Sequence, residues 1–170
     1  MADVLPDRML LIVTGSTLRA EEVDRPLAYY LKQRIEERLA ELTIDPISVR
    51  VIADFRWLND DPLQSYPSIS VGGPGVNALA GRFYEQLPFA LAIDEQYCIQ
   101  MDPAIEDLRV SIWGMDNPKT QIAVGIFVER FLPRWLEGCA RFSFEGARIE
   151  PLVEDEDEED VEDEDLDLDV

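Results

Sequence analysis

Short apolar runs alternate along the chain with longer amphipathic segments. The first run, residues 9–13, is entirely apolar and is followed by Gly15, which predicts a buried interior strand. The next segment has apolar residues at every third or fourth position, which predicts a long amphipathic helix. We expect this helix to begin at Asp24 as its N-cap, with Pro26 in the first turn. Its apolar stripe consists of Leu27, Leu31, Ile35, Leu39 and Leu42.

The middle of the chain predicts two further strands and a second helix. Residues 47–57 alternate between apolar and mostly polar positions, which predicts an edge or near-edge strand with one buried face. Residues 59–62 (Asn-Asp-Asp-Pro) predict a loop. A third strand begins at Ile69 and runs into a glycine-rich turn at residues 72–77, and the helix that follows stops at Pro88.

The next segments predict a hairpin and another strand. Residues 89–93 and 97–101 are apolar runs on either side of a polar turn, a pattern typical of a β-hairpin. Residues 109–114 predict a strand that ends in glycine.

A last long helix is predicted from Asn117 as N-cap to Gly138 as C-cap, with Pro118 at the first helical position. Residues 141–144 suggest an additional short strand.

The predicted order of elements is β-α-β-β-α-(ββ)-β-α. This order favours an α/β fold: three-layer, with a mainly parallel sheet, helices on both faces and a ββ insertion. We expect residues 1–153 to form a single domain, because a chain of 170 residues that is 46% hydrophobic supports one core. Residues 154–170 hold 13 acidic residues and no basic one, which predicts a disordered acidic tail.

Charge and composition restrict the expected function. The net charge of −21 disfavours nucleic acid and anionic membranes, and makes a protein with a basic surface the expected partner. Histidine is absent, which removes the commonest general base and metal ligand, so we predict no catalytic residue, no metal site and no cofactor. For Cys98 and Cys139, buried thiols are favoured, with a disulfide or a reactive thiol left open. The N-terminal residues lack a signal-peptide pattern, so we expect a soluble, cytoplasmic protein.

Three glycine-containing turns, at residues 14–17, 72–77 and 114–120, each lie between a strand and a helix and form the candidate binding site. In an open α/β sheet such turns gather at the carboxyl ends of the strands, where these folds bind ligands. Glycine lets a ligand approach the backbone, and helix N-termini attract anions. The candidate ligand-binding residues are Gly15, Ser16, Gly72, Gly73, Asn77, Asp116, Asn117 and Thr120. The alternative interpretation is that these residues only make sharp turns and cap helices.

These turns match neither the dinucleotide-binding fingerprint nor the phosphate-binding P-loop. Lys119 is a candidate for an anion contact, with a solvated surface lysine as the alternative. Ser16 has no base nearby in sequence and is not expected to be a nucleophile. Four aspartates near strand ends are interpreted as turn residues rather than magnesium ligands: Asp54, Asp94, Asp102 and Asp116.

Two of the turns resemble those of a known module. Residues 69–78, with their GGPxxN turn, and residues 110–124, with a GxDxxxT helix start, are similar to the globular α/β module of archaeal-type surface-layer proteins. The resemblance covers about residues 66–132 and implies an assembly or scaffolding role without catalysis. It further implies that Gly72, Gly73, Pro74 and Asn77 shape one turn, and Asp116 and Thr120 the facing one.

Three functional hypotheses follow. The first is a non-enzymatic interaction or scaffolding module whose acidic tail binds a basic partner. The second is a protein that binds a small ligand, a nucleotide or a sugar phosphate, or an enzyme that acts on one, at the glycine-rich turns. The third is an acidic decoy or chaperone-like partner that acts through its tail. A homo-oligomer is left open.

Overall fold

A computed structural model describes residues 8–42 and 44–142. The predicted acidic tail at residues 154–170 therefore lies outside the described residues. The strands are β1 (Met9–Thr14), β2 (Ser48–Ala53), β3 (Ser68–Val71), β4 (Phe89–Ile93), β5 (Tyr97–Met101) and β6 (Arg109–Gly114). The helices are α1 (Leu18–Glu41), α2 (Asp54–Asn59), α3 (Ala78–Gln86), α4 (Asn117–Ile126) and α5 (Leu132–Arg141). A 3₁₀ turn spans Asp61–Ser65, and a π-helical turn, Phe127–Phe131, joins α4 to α5.

The strands form one mixed sheet in the order β2-β1-β3-β6-β5-β4. The first four in this order run parallel to one another, whereas β5 is antiparallel to both β6 and β4. The α/β class predicted from the sequence is confirmed. So are the interior position of β1, which has a strand on each side, and the edge position of β2.

Apolar side chains on the sheet pack into two clusters, because successive residues of a strand point to opposite faces. In β1, Leu10 and Ile12 belong to a cluster that also includes residues of α1, α4 and α5. Leu11 and Val13 belong to the other, with residues of α2 and α3. All six residues of β1 are buried, which anchors the end of this strand and the turn that follows it.

The strand predicted over residues 47–57 is shorter than expected. It ends at Ala53, and the chain continues as α2. The cause is a set of contacts that a local pattern does not contain. The Oδ1 atom of Asp54 accepts a hydrogen bond from the Phe55 amide at 2.7 Å, and the Trp57 Nε1 donates to the Ser68 Oγ at 3.0 Å. The loop predicted at residues 59–62 is the end of α2 and the beginning of the 3₁₀ turn.

The predicted start of the first helix is also wrong. Thr17, not Asp24, is the N-cap of α1, and its Oγ1 accepts a hydrogen bond from the Ala20 amide at 3.2 Å. Asp24 and Pro26 therefore lie inside a helix of 24 residues. Pro26 is exposed, on the side of the helix away from the core.

The single helix predicted from Asn117 to Gly138 is interrupted by the π-helical turn. Pro133 has no amide hydrogen to donate to the carbonyl four residues earlier, which explains why regular α-helix does not continue through this region. Gly138 is not a C-cap but lies buried in α5, where a Cβ atom would approach a side-chain atom of Ile105 to 2.4 Å. Arg141 is the last residue of α5, which contradicts a strand starting there. Residues 143 and 144 lie outside the described residues.

Candidate ligand-binding cleft

The three glycine-containing turns lie at one end of the sheet, as predicted. They follow β1, β3 and β6, which are parallel neighbours, so their carboxyl ends share an edge. The first two turns touch each other, since a Cβ atom on Gly15 would lie 1.8 Å from the carbonyl oxygen of Val76. Gly15 is buried at this contact, and only glycine fits there.

Asn77 holds the turn between β3 and α3 together. Its side chain is fully buried, and its Nδ2 lies within 3.1 Å of the carbonyl oxygens of Val13 and Val71 and of the Ser70 Oγ. Its Oδ1 accepts a hydrogen bond from the Leu79 amide at 3.0 Å, which caps α3. Asn77 therefore bonds local backbone, which makes it a structural anchor of this turn rather than a residue that faces a ligand.

Asp54 connects the first two turns from a position that the sequence did not single out for this role. The Ser16 Oγ donates to the Asp54 Oδ1 at 2.9 Å, and the Ala78 amide donates to the Asp54 Oδ2 at 2.8 Å. The carboxylate is buried and bonded on both oxygens. Ser16 is therefore held by Asp54, and Asp54 has no oxygen left without a partner.

The third turn is closed by its own side chains. Asp116, one residue before the predicted cap Asn117, is the N-cap of α4. Its Oδ1 accepts from the Lys119 amide at 2.9 Å and its Oδ2 from the Lys119 Nζ at 3.2 Å, and these contacts hold the pKa of Asp116 below its usual value. The Thr120 Oγ1 accepts from the Gly114 amide at 3.0 Å. Asn117 reaches across to α1, where its Nδ2 donates to the Val23 carbonyl at 3.1 Å.

A cleft of about 340 Å³ lies between these turns and α1. Its walls are residues of the first turns of α1, residues 73–76, and residues 113–117 together with Thr120. Of the eight candidate residues, four line the cleft: Gly73, Asp116, Asn117 and Thr120. The other four, Gly15, Ser16, Gly72 and Asn77, are not among its lining residues and support its walls.

Asp24 is the most unusual residue of the cleft wall. Only 4% of its surface is exposed, yet its carboxyl group makes no hydrogen bond to any residue in the part of the chain that the structure describes. Burial raises the pKa of Asp24 to about 6, and the positive charge of Arg19 opposes this shift. The carboxyl group thus changes its charge near pH 6. It can donate a hydrogen bond to a molecule in the cleft when it is protonated, and it accepts hydrogen bonds when it is ionised.

Gly72 makes room for Asp24. The φ angle of Gly72 is +103°, a conformation that residues with a side chain disfavour, and a Cβ atom there would lie 2.6 Å from the Asp24 Oδ2.

The sequence did carry a signal for the burial of Asp24. It precedes Ala28, Leu31 and Ile35 on the buried face of α1 at spacings of four, three and four, so it is a charged residue on an apolar stripe.

Two further residues of the cleft wall, Trp113 and Arg19, carry nitrogen donors. The Nε1 of Trp113 is buried and has no hydrogen-bond partner within the described residues. Arg19 is exposed beside Asp24 and is the cation of this wall, whereas the Lys119 ammonium group bonds Asp116. The cleft wall therefore combines an acid, Asp24, with a cation, Arg19.

The remaining candidates lie elsewhere. Asp102 accepts hydrogen bonds from the amides of Ala104 and Glu106 within its own loop, and Asp94 lies in the β4–β5 turn with a φ of 44°. Within residues 8–42 and 44–142, no three histidine, cysteine or acidic side chains come together as a metal site would require.

Cys98 and Cys139 are free and buried, which contradicts the disulfide alternative. Burial raises the pKa of both thiols.

Comparisons with known proteins leave the interpretation to the structure itself: no family model matches the chain, and no curated protein does either. Among the helices in the described residues, none is both long enough and apolar enough to cross a membrane.

Proposed function

We propose that this protein binds a small polar ligand in the cleft at the carboxyl ends of β1, β3 and β6, and that Asp24 recognises it. The observation that carries the proposal is the buried carboxyl group of Asp24, which lines the cleft without a hydrogen-bond partner among the described residues. An ionised carboxylate loses part of its hydration when its residue is largely buried, and this loss destabilises the protein unless another group replaces the water. A ligand that donates hydrogen bonds supplies that replacement.

The chemistry of the cleft favours a ligand with hydroxyl or amine donors. A carboxylate accepts hydrogen bonds from such groups, as it does from a ribose diol. The exposed guanidinium group of Arg19 is suited to a phosphate on the same ligand. A sugar phosphate or a nucleotide has both features, and a cleft of about 340 Å³ has the size of a small-molecule site. We propose binding without catalysis: Ser16 donates its hydrogen bond to Asp54, and the Thr120 hydroxyl donates to the Asp116 carbonyl.

Thermal-shift measurements on the full chain test this proposal. We expect at least one compound among sugars, sugar phosphates and nucleotides to raise the Tm of the wild-type protein, because a ligand of the native state stabilises it by mass action. The Asp24→Asn variant should lose that shift. Glu22→Gln, an exposed carboxyl on the same helix, is the matched control and should keep it. A compound whose shift is the same in wild type and Asp24→Asn would contradict the role of Asp24.

A second candidate function rests on charge. We propose that residues 154–170, with 13 acidic residues and no basic one, bind a protein with a basic surface. The resemblance of the two turns to surface-layer modules is consistent with a scaffolding role, and this function is compatible with an occupied cleft.

We further propose a three-layer arrangement in which the β4–β5 pair is an insertion, and a cytoplasmic location. The two apolar clusters support the layers. The free state of Cys98 and Cys139 supports a reducing compartment.

A further inference from the structure

The outer edge of β4 is unpaired. This strand is the last in the sheet and pairs with β5, and within residues 8–42 and 44–142 no other strand covers its outer side. Its sequence, Phe-Ala-Leu-Ala-Ile, contains neither a charged residue nor a proline; Pro88 precedes it, and its register with β5 shifts between Phe89 and Leu91. Edge strands are usually protected by such residues, because unpaired backbone groups pair readily with another strand.

Exposed apolar side chains surround this edge. Phe89 is 49% exposed and Ile93 is 37% exposed, one at each end of β4. Tyr84 is 50% exposed and packs edge-on against the Phe89 ring, with 5.7 Å between ring centroids. The edge thus offers backbone hydrogen-bonding groups and an apolar patch together.

The two ends of β4 carry opposite charges. Asp94 and Glu95 follow Ile93 in an exposed turn, where their φ angles are 44° and 56°. At the other end, the exposed Arg134 of α5 lines a cavity of about 200 Å³ together with Phe89. The edge is therefore acidic at its end after Ile93 and basic at its end beside Phe89.

We propose that β4 pairs antiparallel with β4 of a second copy of this chain, so that the two sheets become continuous. An antiparallel pair related by a two-fold axis brings the Phe89 end of each copy to the Ile93 end of the other. Arg134 of each copy then meets Asp94 and Glu95 of its partner. A charge distribution of this kind is complementary to itself, which is why a second copy, rather than a different protein, is the occupant.

Sedimentation of the full chain tests the proposal, and it is independent of the ligand cleft. We expect the wild-type protein to be a dimer. Ala92→Lys, which places a charge at an exposed position of β4, should weaken the dimer by about tenfold or more. Ala40→Lys, at an exposed position of α1, is the matched control and should remain dimeric. A monomeric wild type, or a dimer unaffected by Ala92→Lys, would overturn the proposal.

Charge reversal adds a test of the antiparallel geometry. We expect Arg134→Glu to weaken the dimer, and Asp94→Arg with Glu95→Arg to do the same, because each change places like charges together. All three substitutions in one chain should restore dimerisation, since the pairs are then reversed. Circular dichroism identifies variants that fail to fold. Folded single-site and combined variants that are equally monomeric would contradict this pairing.

Discussion

At the scale of single residues, Asp24 gives the clearest prediction. Its pKa is raised to about 6, so the native state holds the proton more tightly than the unfolded chain does. The contribution of Asp24 to the stability of the wild-type protein should therefore fall as pH rises from about 4 through about 6. Above that range, Asp24→Asn should be the more stable protein by about 2–3 kcal/mol, because it removes the buried charge.

Chemical denaturation at a series of pH values measures this difference. The stability gap between Asp24→Asn and wild type should close below about pH 4, where both side chains are neutral. Glu22→Gln should show no comparable gap. A constant difference at every pH would indicate that packing, not ionisation, separates the two proteins.

Gly72 supports a second prediction at this scale. We expect Gly72→Ala to destabilise the protein by about 1–3 kcal/mol, because the φ of +103° and the nearby Asp24 carboxyl both oppose a Cβ atom. Gly75→Ala in the same turn is the control, since a Cβ atom there meets nothing within 4 Å. Urea unfolding of both variants makes the comparison, and equal losses would show that Gly72 has no special role.

At the scale of elements, Asn77 joins β1, β3 and α3. Replacing it with alanine removes the cap of α3 and leaves two buried carbonyl groups without this donor. We expect Asn77→Ala to lower the free energy of unfolding by about 2–4 kcal/mol. Asn59→Ala, which removes an exposed hydrogen bond to the Phe55 carbonyl, should cost less than about 1 kcal/mol. Similar losses in the two variants would contradict the anchoring role.

The sequence predicted elements well where the signal was local. The apolar run of β1 and the glycine turns after β1, β3 and β6 are local patterns, and parallel pairing then places those turns at one edge. The end of β2 was missed because the hydrogen bond from Trp57 to Ser68 joins residues that a periodicity does not relate. The break after α4 was missed because the apolar period continues through the π-helical turn.

The cleft was predicted only in outline, for a similar reason. An aspartate two residues before a proline is an acceptable helix start in sequence, so Asp24 was interpreted as a cap. Thr17 takes that role instead, and α1 therefore begins early enough to bring Asp24 to the cleft. The position of the Asp24 side chain depends on which residue caps the helix. Thr17 and Asp24 are both acceptable caps and lie seven residues apart, so the sequence alone does not decide between them.

At the scale of the whole molecule, the main feature is the acidic charge of residues 154–170. Deleting residues 154–170 removes 13 acidic residues and changes the net charge from −21 to −8. We expect the Tm to change by only a few degrees, because this segment has too few apolar residues for a core. Binding to a basic protein should be lost, and in the full chain it should weaken steeply with salt. A pull-down and a melting curve measure both effects, and a truncated protein that no longer folds would assign these residues to the domain.

The ligand cleft is tested most directly by a nuclear magnetic resonance titration of the full chain with sugar phosphates and nucleotides. Trp113 lines the cleft, whereas Trp57 and Trp135 are buried in the two apolar clusters, so the three indole N–H signals separate the cleft from the core. We predict that a bound compound shifts the Trp113 indole signal and the amides of residues 73–76 and 113–120, and that Asp24→Asn abolishes these shifts. Shifts confined to residues away from the cleft, or no shift with any of these compounds, would contradict the proposed function.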